Sequence, residues 1–228
     1  MLRSKEKEES MNSKPIVVAP SVLACDFNYL GAECARMEKA GADWLHLDVM
    51  DGHFVDNISF GPPIVQSVAK VATVPLDTHL MVERPDHFFP RFIPYSSNIT
   101  IHVEPDYDVG NTLKSIRAAG ATCGLAISPP TLFEKVEQFL DQIDLLLVMT
   151  VNPGFGGQEF MEETMFKVKR AAALRARLEL DFHIAVDGGI HADTAAIARA
   201  AGANVLVAGT GVFRAPDANL AIKELRGL

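Results

Sequence analysis

The sequence has few of the features that define several common protein classes. Its 228 residues include three cysteines and one tryptophan. Three scattered cysteines form neither a disulfide framework nor a zinc-finger spacing, which predicts a reducing, cytoplasmic environment. No apolar run reaches the roughly 18 residues that cross a bilayer, so we expect no membrane contact.

Positive charge is also scarce. Lysine and arginine number 21 against 29 aspartate and glutamate residues, which gives a net charge of −8. Nucleic-acid binding needs a basic face to neutralise phosphates, so we expect no nucleic-acid partner. Residues 1–14 are polar and charged, without the apolar core of a signal peptide, and we expect a disordered extension there.

Hydrophobic residues make up 48% of the chain and recur in short, β-branched runs. Segments in which apolar residues have helical spacing lie between several of these runs, as at 29–40, 110–119 and 161–178. Strict alternation of strand and helix predicts an α/β fold, a (β/α)8 TIM barrel formed by residues 15–228 as a single domain. An open doubly wound sheet is the alternative, but no Gly-x-Gly-x-x-Gly motif follows the first strand. The predicted strands are 16–19, 44–48, 76–80, 98–102, 122–127, 145–149, 182–186 and 205–208.

The second predicted strand carries an unusual pair of polar residues. His46 and Asp48 alternate with apolar residues, so both side chains point to one face of a strand that should be buried on both faces. Burying them costs free energy unless something satisfies them. His79 and Asp187 stand at or near the ends of later strands, and strand ends converge at the mouth of a barrel. A lone histidine would be explained as a core residue, whereas these four predict one divalent metal per subunit, with Zn²⁺ the first expectation and Fe²⁺, Mn²⁺ or Co²⁺ open.

Glycine clusters follow the last three predicted strands. Glycine lets the backbone approach an anion closely, and its N–H groups can then hold a phosphate. Tight turns would explain any single cluster, but three on successive units predict a phosphorylated small molecule. No Gly-x-x-x-x-Gly-Lys-Ser/Thr motif is present, which argues against a nucleoside triphosphate. The candidate phosphate-binding residues are Gly154, Phe155, Gly156, Gly157, Gly188, Gly189, Gly209 and Thr210.

Three methionines, Met50, Met81 and Met149, stand at or just past strand ends. Methionine is most often flexible core filler, but here it could also form an apolar lid that excludes water from a reacting centre. Ser21 and His102 also stand at strand ends, and we consider them possible contacts to substrate hydroxyls.

Residues 16–213 resemble the ribulose-phosphate 3-epimerase family in several motifs that occur in the same order. The resemblance implies a barrel of the ribulose-phosphate-binding type that interconverts D-ribulose 5-phosphate and D-xylulose 5-phosphate in the pentose phosphate pathway. The motifs are Ala19-Pro20-Ser21-Val22-Leu23, 46–54 (His-Leu-Asp-Val-Met-Asp-Gly-His-Phe), His79-Leu80-Met81, 149–158 (Met-Thr-Val-Asn-Pro-Gly-Phe-Gly-Gly-Gln) and 186–190 (Val-Asp-Gly-Gly-Ile).

By this resemblance, His46, Asp48, His79 and Asp187 bind the metal, and Asp48 and Asp187 also form the acid–base pair. Ser21 and His79 would lie against the substrate, the three methionines would form the lid, and the protein would be a homo-oligomer. Asp56 and Ser128 depart from the usual pattern, but no departure touches a metal ligand or an acid–base residue.

Other functions stay open. Allulose 6-phosphate, longer by one carbon, is an alternative substrate for the same epimerisation. A decarboxylase or aldolase of this barrel group would carry Asp-x-Lys-x-x-Asp at strand three, where this chain has no lysine. A non-catalytic sugar-phosphate-binding barrel would be expected to lose at least one of the four ligands.

Overall fold

A computed structural model describes residues 14–228, and parallel strands form its centre. Most of the extension expected at 1–14 lies outside the described residues. Lys14 is described, and its Nζ lies 2.5 Å from Asp181 Oδ1. The strands are β1 (Val17–Pro20), β2 (Leu45–Met50), β3 (Leu76–Met81), β4 (Asn98–His102), β5 (Thr122–Ile127), β6 (Leu145–Met149), β7 (His183–Asp187) and β8 (Val205–Ala208).

Helices connect successive strands and cover the outside of the sheet. Short 3₁₀ turns at Val22–Ala24, Phe27–Tyr29, Phe89–Arg91 and Glu162–Thr164 accompany them. No helix in residues 14–228 is long and apolar enough to cross a membrane. The α-helices are α1 (Leu30–Ala40), α2 (Pro62–Ala69), α3 (Pro85–Phe88), α4 (Val109–Ala118), α5 (Glu134–Glu137), α6 (Met165–Arg177), α7 (Ala192–Ala201), α8 (Thr210–Phe213) and α9 (Ala218–Arg226).

The sheet closes almost completely on itself. Its hydrogen-bonded order is β1-β8-β7-β6-β5-β4-β3-β2, with every pair parallel. A parallel bridge between Ser21 and His46 joins β1 to β2, and Val18 O accepts the Asp43 N–H at 3.0 Å beside it. The predicted (β/α)8 barrel is therefore confirmed.

The predicted strand positions agree with the structure to within two residues. β4, β5, β6 and β8 have the predicted bounds, whereas β2 continues to Met50 and β3 to Met81. These two strands pair along their whole length, from Leu45 opposite Leu76 to Met50 opposite Met81. Ladder hydrogen bonds between neighbours therefore extend both strands beyond the apolar run that identified them.

The interior of the barrel has two chemically different halves. The apolar half consists of the buried apolar residues that point inward from β1 and β5–β8, and the polar half consists of the buried polar residues that point inward from β2–β4. Members of both halves are buried, so the difference lies in chemistry rather than exposure. The apolar half contains Val17, Ala19, Ala126, Leu145, Leu147, Met149, Ala185, Val205 and Val207. The polar half contains His46, Asp48, Asp77, His79, Asn98, Thr100 and His102.

Candidate active site

Strand register places the polar residues of β2 and β3 side by side. Asp48 stands opposite His79, and His46 stands opposite Asp77. Inward side chains at paired positions of parallel neighbours lie close together, so each histidine of the pair contacts a carboxylate. His79 Nδ1 lies 3.0 Å from Asp48 Oδ1, and His46 Nδ1 lies 2.8 Å from Asp77 Oδ2.

The structure brings His46, Asp48, His79 and Asp187 together, with one potential ligand atom of each within 4.8 Å of the others. Asp48 Oδ1 lies 3.2 Å from His46 Nε2, and Asp187 Oδ2 lies 3.9 Å from both His46 Nε2 and His79 Nδ1. Ligand atoms at about 2.0–2.2 Å from one tetrahedral ion are roughly 3.3 Å apart. The spacing of the four atoms therefore fits a divalent metal. His46 and Asp48 lie within β2 rather than at its end, because the strand continues to Met50.

An unsatisfied nitrogen supports the same conclusion. His46 Nε2 is buried and makes no hydrogen bond within the described residues, although Asp48 Oδ1 is near. Asp77 occupies the other ring nitrogen at 2.8 Å. Since that carboxylate accepts the Nδ1 proton, a neutral His46 directs its Nε2 lone pair towards Asp48 and Asp187. A metal ligand needs this arrangement.

The charges at the cluster favour a cation. Burial opposes ionisation of Asp48, but the charge of His46 holds the pKa of Asp48 well below its usual range. Burial likewise opposes protonation of His46, yet Asp48 and Asp77 raise its pKa well above 6.5. The two carboxylates thus favour a positive charge at this ring, and a metal would bind Nε2 in place of the proton. Burial lowers the pKa of His79 to about 4, so this ring is neutral at neutral pH, as a metal ligand would need to be.

Asp187 has a different environment from Asp48. Burial and the nearby Asp48 charge both raise the pKa of Asp187 above its usual range. Asp48 Oδ2 also accepts a 2.5 Å hydrogen bond from Ser21 Oγ. The two carboxyl groups therefore differ in their tendency to hold a proton, which is the arrangement expected of an acid–base pair.

A cavity of about 370 Å³ opens above this cluster. Asp48, Asp187 and Ser21 line its floor, while His46 and His79 are completely buried behind them. The cavity is large enough for a small sugar phosphate. The three predicted lid methionines, Met50, Met81 and Met149, also line it and are nearly fully buried.

All eight predicted phosphate-binding residues line the same cavity, as do the loops after β6, β7 and β8 that carry them. Gly188 and Gly189 have φ angles of +118° and +65°, in the region that favours glycine. A Cβ on Gly189 would lie 2.5 Å from the backbone nitrogen of Phe160, so this position also excludes larger residues by contact. In contrast, Gly209 has a φ of −90° and needs no such freedom.

His102 is an ordinary hydrogen-bonding residue rather than a contact to a substrate hydroxyl, the two alternatives that its position in the sequence leaves open. His102 is completely buried, and its two ring nitrogens bond to His79 Nε2 at 2.9 Å and to Glu104 Oε2 at 2.8 Å. Both polar atoms are occupied away from the cavity. The ring also lies against Phe54, with centroids 4.6 Å apart.

Sequence reasoning missed two further residues. Asp77 lies two residues before His79 and therefore on the same face of β3, so the alternation of the strand could have identified it. Arg214 lines the cavity, but nothing in the local pattern of an exposed arginine distinguishes it. Its position follows only from the packing of α8 against the mouth of the barrel.

Comparison with known proteins agrees with this geometry. Residues 17–213 match the ribulose-phosphate 3 epimerase family. The chain belongs to this family. It is 44% identical over 214 residues to the ribulose-phosphate 3-epimerase of Bacillus subtilis, which covers 93% of this chain and 99% of that protein. It is 38% identical to the chloroplastic ribulose-5-phosphate-3-epimerase of Arabidopsis thaliana over 99% of this chain and 82% of that protein.

A solved structure shows the same fold at much lower sequence similarity. A mutant tryptophan synthase α-subunit from Pyrococcus furiosus superposes with a TM-score of 0.68 at 12% identity, over 94% of this chain and 98% of that one. The barrel is thus shared with enzymes of other activities, whereas membership of the epimerase family rests on the sequence matches. That family assignment confirms the prediction of an epimerase.

Proposed function

We propose that this chain interconverts D-ribulose 5-phosphate and D-xylulose 5-phosphate by 1,1-proton transfer at C3, as a step of the pentose phosphate pathway. The observation that carries the proposal is that Asp48 and Asp187 reach one cavity and differ in environment. Epimerisation needs one base to remove the C3 proton and one acid to return a proton on the opposite face, through an enediolate. The names of the relatives supply the substrate class.

The two carboxyl groups would exchange roles with the direction of reaction. In one direction Asp48 takes the C3 proton and Asp187 gives one, and in the other direction the roles reverse. Ser21 would orient Asp48 through its 2.5 Å hydrogen bond to Oδ2. The buried Met50, Met81 and Met149 would exclude water from the carbon that loses its proton.

His46, Asp48, His79 and Asp187 would together hold one divalent metal, with Zn²⁺ first and Fe²⁺, Mn²⁺ or Co²⁺ open. When bound, such an ion supplies positive charge that stabilises the charge developing on the substrate oxygens. The unsatisfied His46 Nε2 and the neutral His79 are the features of this chain that support the assignment.

The glycine loops would hold the phosphate at the far end of the sugar. Backbone N–H groups near Gly188 and Gly189 and the Thr210 hydroxyl are suited to an anion, and Arg214 adds a positive charge at the same cavity. Binding the non-reacting end would orient C3 between the two carboxyl groups. We further propose that residues 15–228 form one catalytic domain of a cytoplasmic homo-oligomer.

The test compares turnover of ribulose 5-phosphate and of allulose 6-phosphate by the purified protein, with metal analysis of the same sample. We expect a larger kcat/KM for ribulose 5-phosphate, loss of turnover after exhaustive chelation, and recovery when a divalent ion is added back. A preference for allulose 6-phosphate would assign the longer substrate. A fully active, metal-free sample would remove the metal from the mechanism, and a metal-loaded sample inactive on both sugars would overturn the proposal.

A further inference from the structure

A line of buried polar groups runs from His79 away from the cavity. His79 Nε2 lies 2.9 Å from His102 Nε2, and His102 Nδ1 lies 2.8 Å from Glu104 Oε2. The other Glu104 oxygen, Oε1, accepts the Ser128 N–H at 2.7 Å. Both imidazoles are completely buried, so these contacts are not exchanged for water.

The acceptor at one end fixes the direction of every bond in this line. Both Glu104 oxygens stand at acceptor positions, Oε1 for the Ser128 N–H and Oε2 for His102 Nδ1. An ionised carboxylate only accepts hydrogen bonds, so His102 Nδ1 must donate. A neutral His102 then accepts at Nε2, and His79 Nε2 must donate to it. His79 Nδ1 is left without a proton, 3.0 Å from Asp48 Oδ1 and 3.9 Å from Asp187 Oδ2.

Packing holds the line in place. The His102 ring lies against Phe54, with centroids 4.6 Å apart, and meets His79 edge to edge, with centroids 5.0 Å apart and ring planes 24° apart. The loop after β5 positions the Ser128 N–H, and the buried Lys167 fixes that loop by donating to Ser128 O at 2.7 Å and to Pro129 O at 2.8 Å. These contacts keep the ring and the carboxylate at hydrogen-bonding distance from their partners.

We propose that Glu104 and His102 are positioning residues that fix the tautomer of His79, leaving its Nδ1 free to bind the divalent metal. The inference rests on the proposed function, because the divalent metal is part of that proposal. His46 has a simpler arrangement of the same kind, in which Asp77 Oδ2 bonds directly to Nδ1, the ring nitrogen that points away from the other candidate ligands. Each of the two histidines therefore keeps one ring nitrogen without a proton. In His46 a carboxylate accepts the proton of the other nitrogen directly, whereas in His79 a second imidazole lies between the ring and the carboxylate.

Glu104→Gln tests the direction of the bonds at constant size. The new amide keeps one oxygen, which the Ser128 N–H requires, and therefore turns an NH₂ group towards His102 Nδ1. Every bond in the line then reverses, which places a proton on His79 Nδ1 where the metal should bind. We expect Zn²⁺ affinity, measured by competition with a chromophoric chelator, to fall about 10–100-fold. Glu134→Gln, which alters only an exposed pair with Arg170, is the matched control and should leave the affinity unchanged.

Nitrogen-15 NMR of the histidine rings gives a readout that is independent of catalysis. In the metal-free protein at pH 8 we expect His79 protonated at Nε2, and in Glu104→Gln we expect it protonated at Nδ1. His102→Gln, whose amide can donate to Glu104 and accept from His79, should retain most of the Zn²⁺ affinity. His102→Leu, which can do neither, should lose as much affinity as Glu104→Gln.

The outcomes separate this inference from the proposed function. Wild-type protein that binds no divalent metal would contradict the metal site itself. Wild-type protein that binds Zn²⁺ while Glu104→Gln binds it equally well, or a wild-type His79 protonated at Nδ1, would overturn the positioning role alone. Equal losses in His102→Gln and His102→Leu would also overturn it, because packing rather than bond direction would then decide the affinity.

Discussion

The two halves of the barrel interior are buried to the same degree but obey different rules. In the apolar half, residues such as Leu147 and Val205 contribute volume and contact area, and any side chain of similar shape would serve. In the polar half, each group has a particular donor or acceptor as its neighbour, as His46 has Asp77 and His79 has His102. A buried polar atom that loses its partner costs free energy, so one residue in this half dictates the chemistry of the next.

The comparison also explains the position of the candidate site. Asp187 ends β7, in the apolar half, and its carboxylate reaches across the mouth to the histidines of the polar half. The site therefore forms where the two halves meet, with one carboxylate supplied from each. Changes in the two halves should accordingly differ in kind, and the following variants measure that difference.

Asp187→Asn should have the largest effect. The amide cannot act as an acid–base group, so we expect turnover to fall by about 10²–10⁴-fold while the fold is retained. Exchange of the C3 proton with deuterated solvent, followed by proton NMR, measures the step directly. Asp141→Asn, a charge-matched change of an exposed residue, is the control. If Asp187→Asn kept its metal and full exchange, Asp187 would have no place in the acid–base pair.

Asn98→Leu should have an intermediate effect on stability. Asn98 Nδ2 donates to Asp77 Oδ1 at 2.7 Å, and a leucine of similar shape leaves that buried oxygen without its donor. We expect the free energy of unfolding to fall by about 1–3 kcal/mol and the support of His46 to weaken. Denaturant unfolding measures the first effect and Zn²⁺ titration the second. No change in either would show that Asp77 does not depend on Asn98.

Leu147→Met should have the smallest effect, although Leu147 is as buried as Asn98. The substitution conserves volume and involves no polar partner, so we expect a cost below about 1.5 kcal/mol and unchanged turnover. Denaturant unfolding beside Asn98→Leu gives the comparison. A larger decrease in the free energy of unfolding for Leu147→Met than for Asn98→Leu would contradict the distinction between the two halves.

The fold was predictable because its signals are local. Apolar β-branched runs such as 98–102 and 145–149 fixed strand positions without knowledge of neighbours. The extensions of β2 and β3 to Met50 and Met81 were not predictable, since they depend on the two strands pairing with each other. Tertiary hydrogen bonds, rather than residue preference, decided those ends.

The candidate site was predictable in its members and not in its connections. His46, Asp48, His79 and Asp187 were identified as polar residues on strands that should be buried, and the structure brings them together. His102 looked equally available to substrate, yet the structure turns both its nitrogens away from the cavity. Arg214 carried no signal, because an exposed arginine is ordinary until packing places it at a cavity.

The sequence by itself determined the alternation of strands and helices, the residues with the chemistry for metal and proton transfer, and the glycine loops suited to a phosphate. These depend on side-chain type and on the two-residue period of a strand, which are properties of the chain alone. Only the tertiary structure decided which nitrogen of each histidine faces the site and which carboxylate supports it. Those choices depend on hydrogen-bond partners from other strands, whose positions follow from the register of the closed barrel.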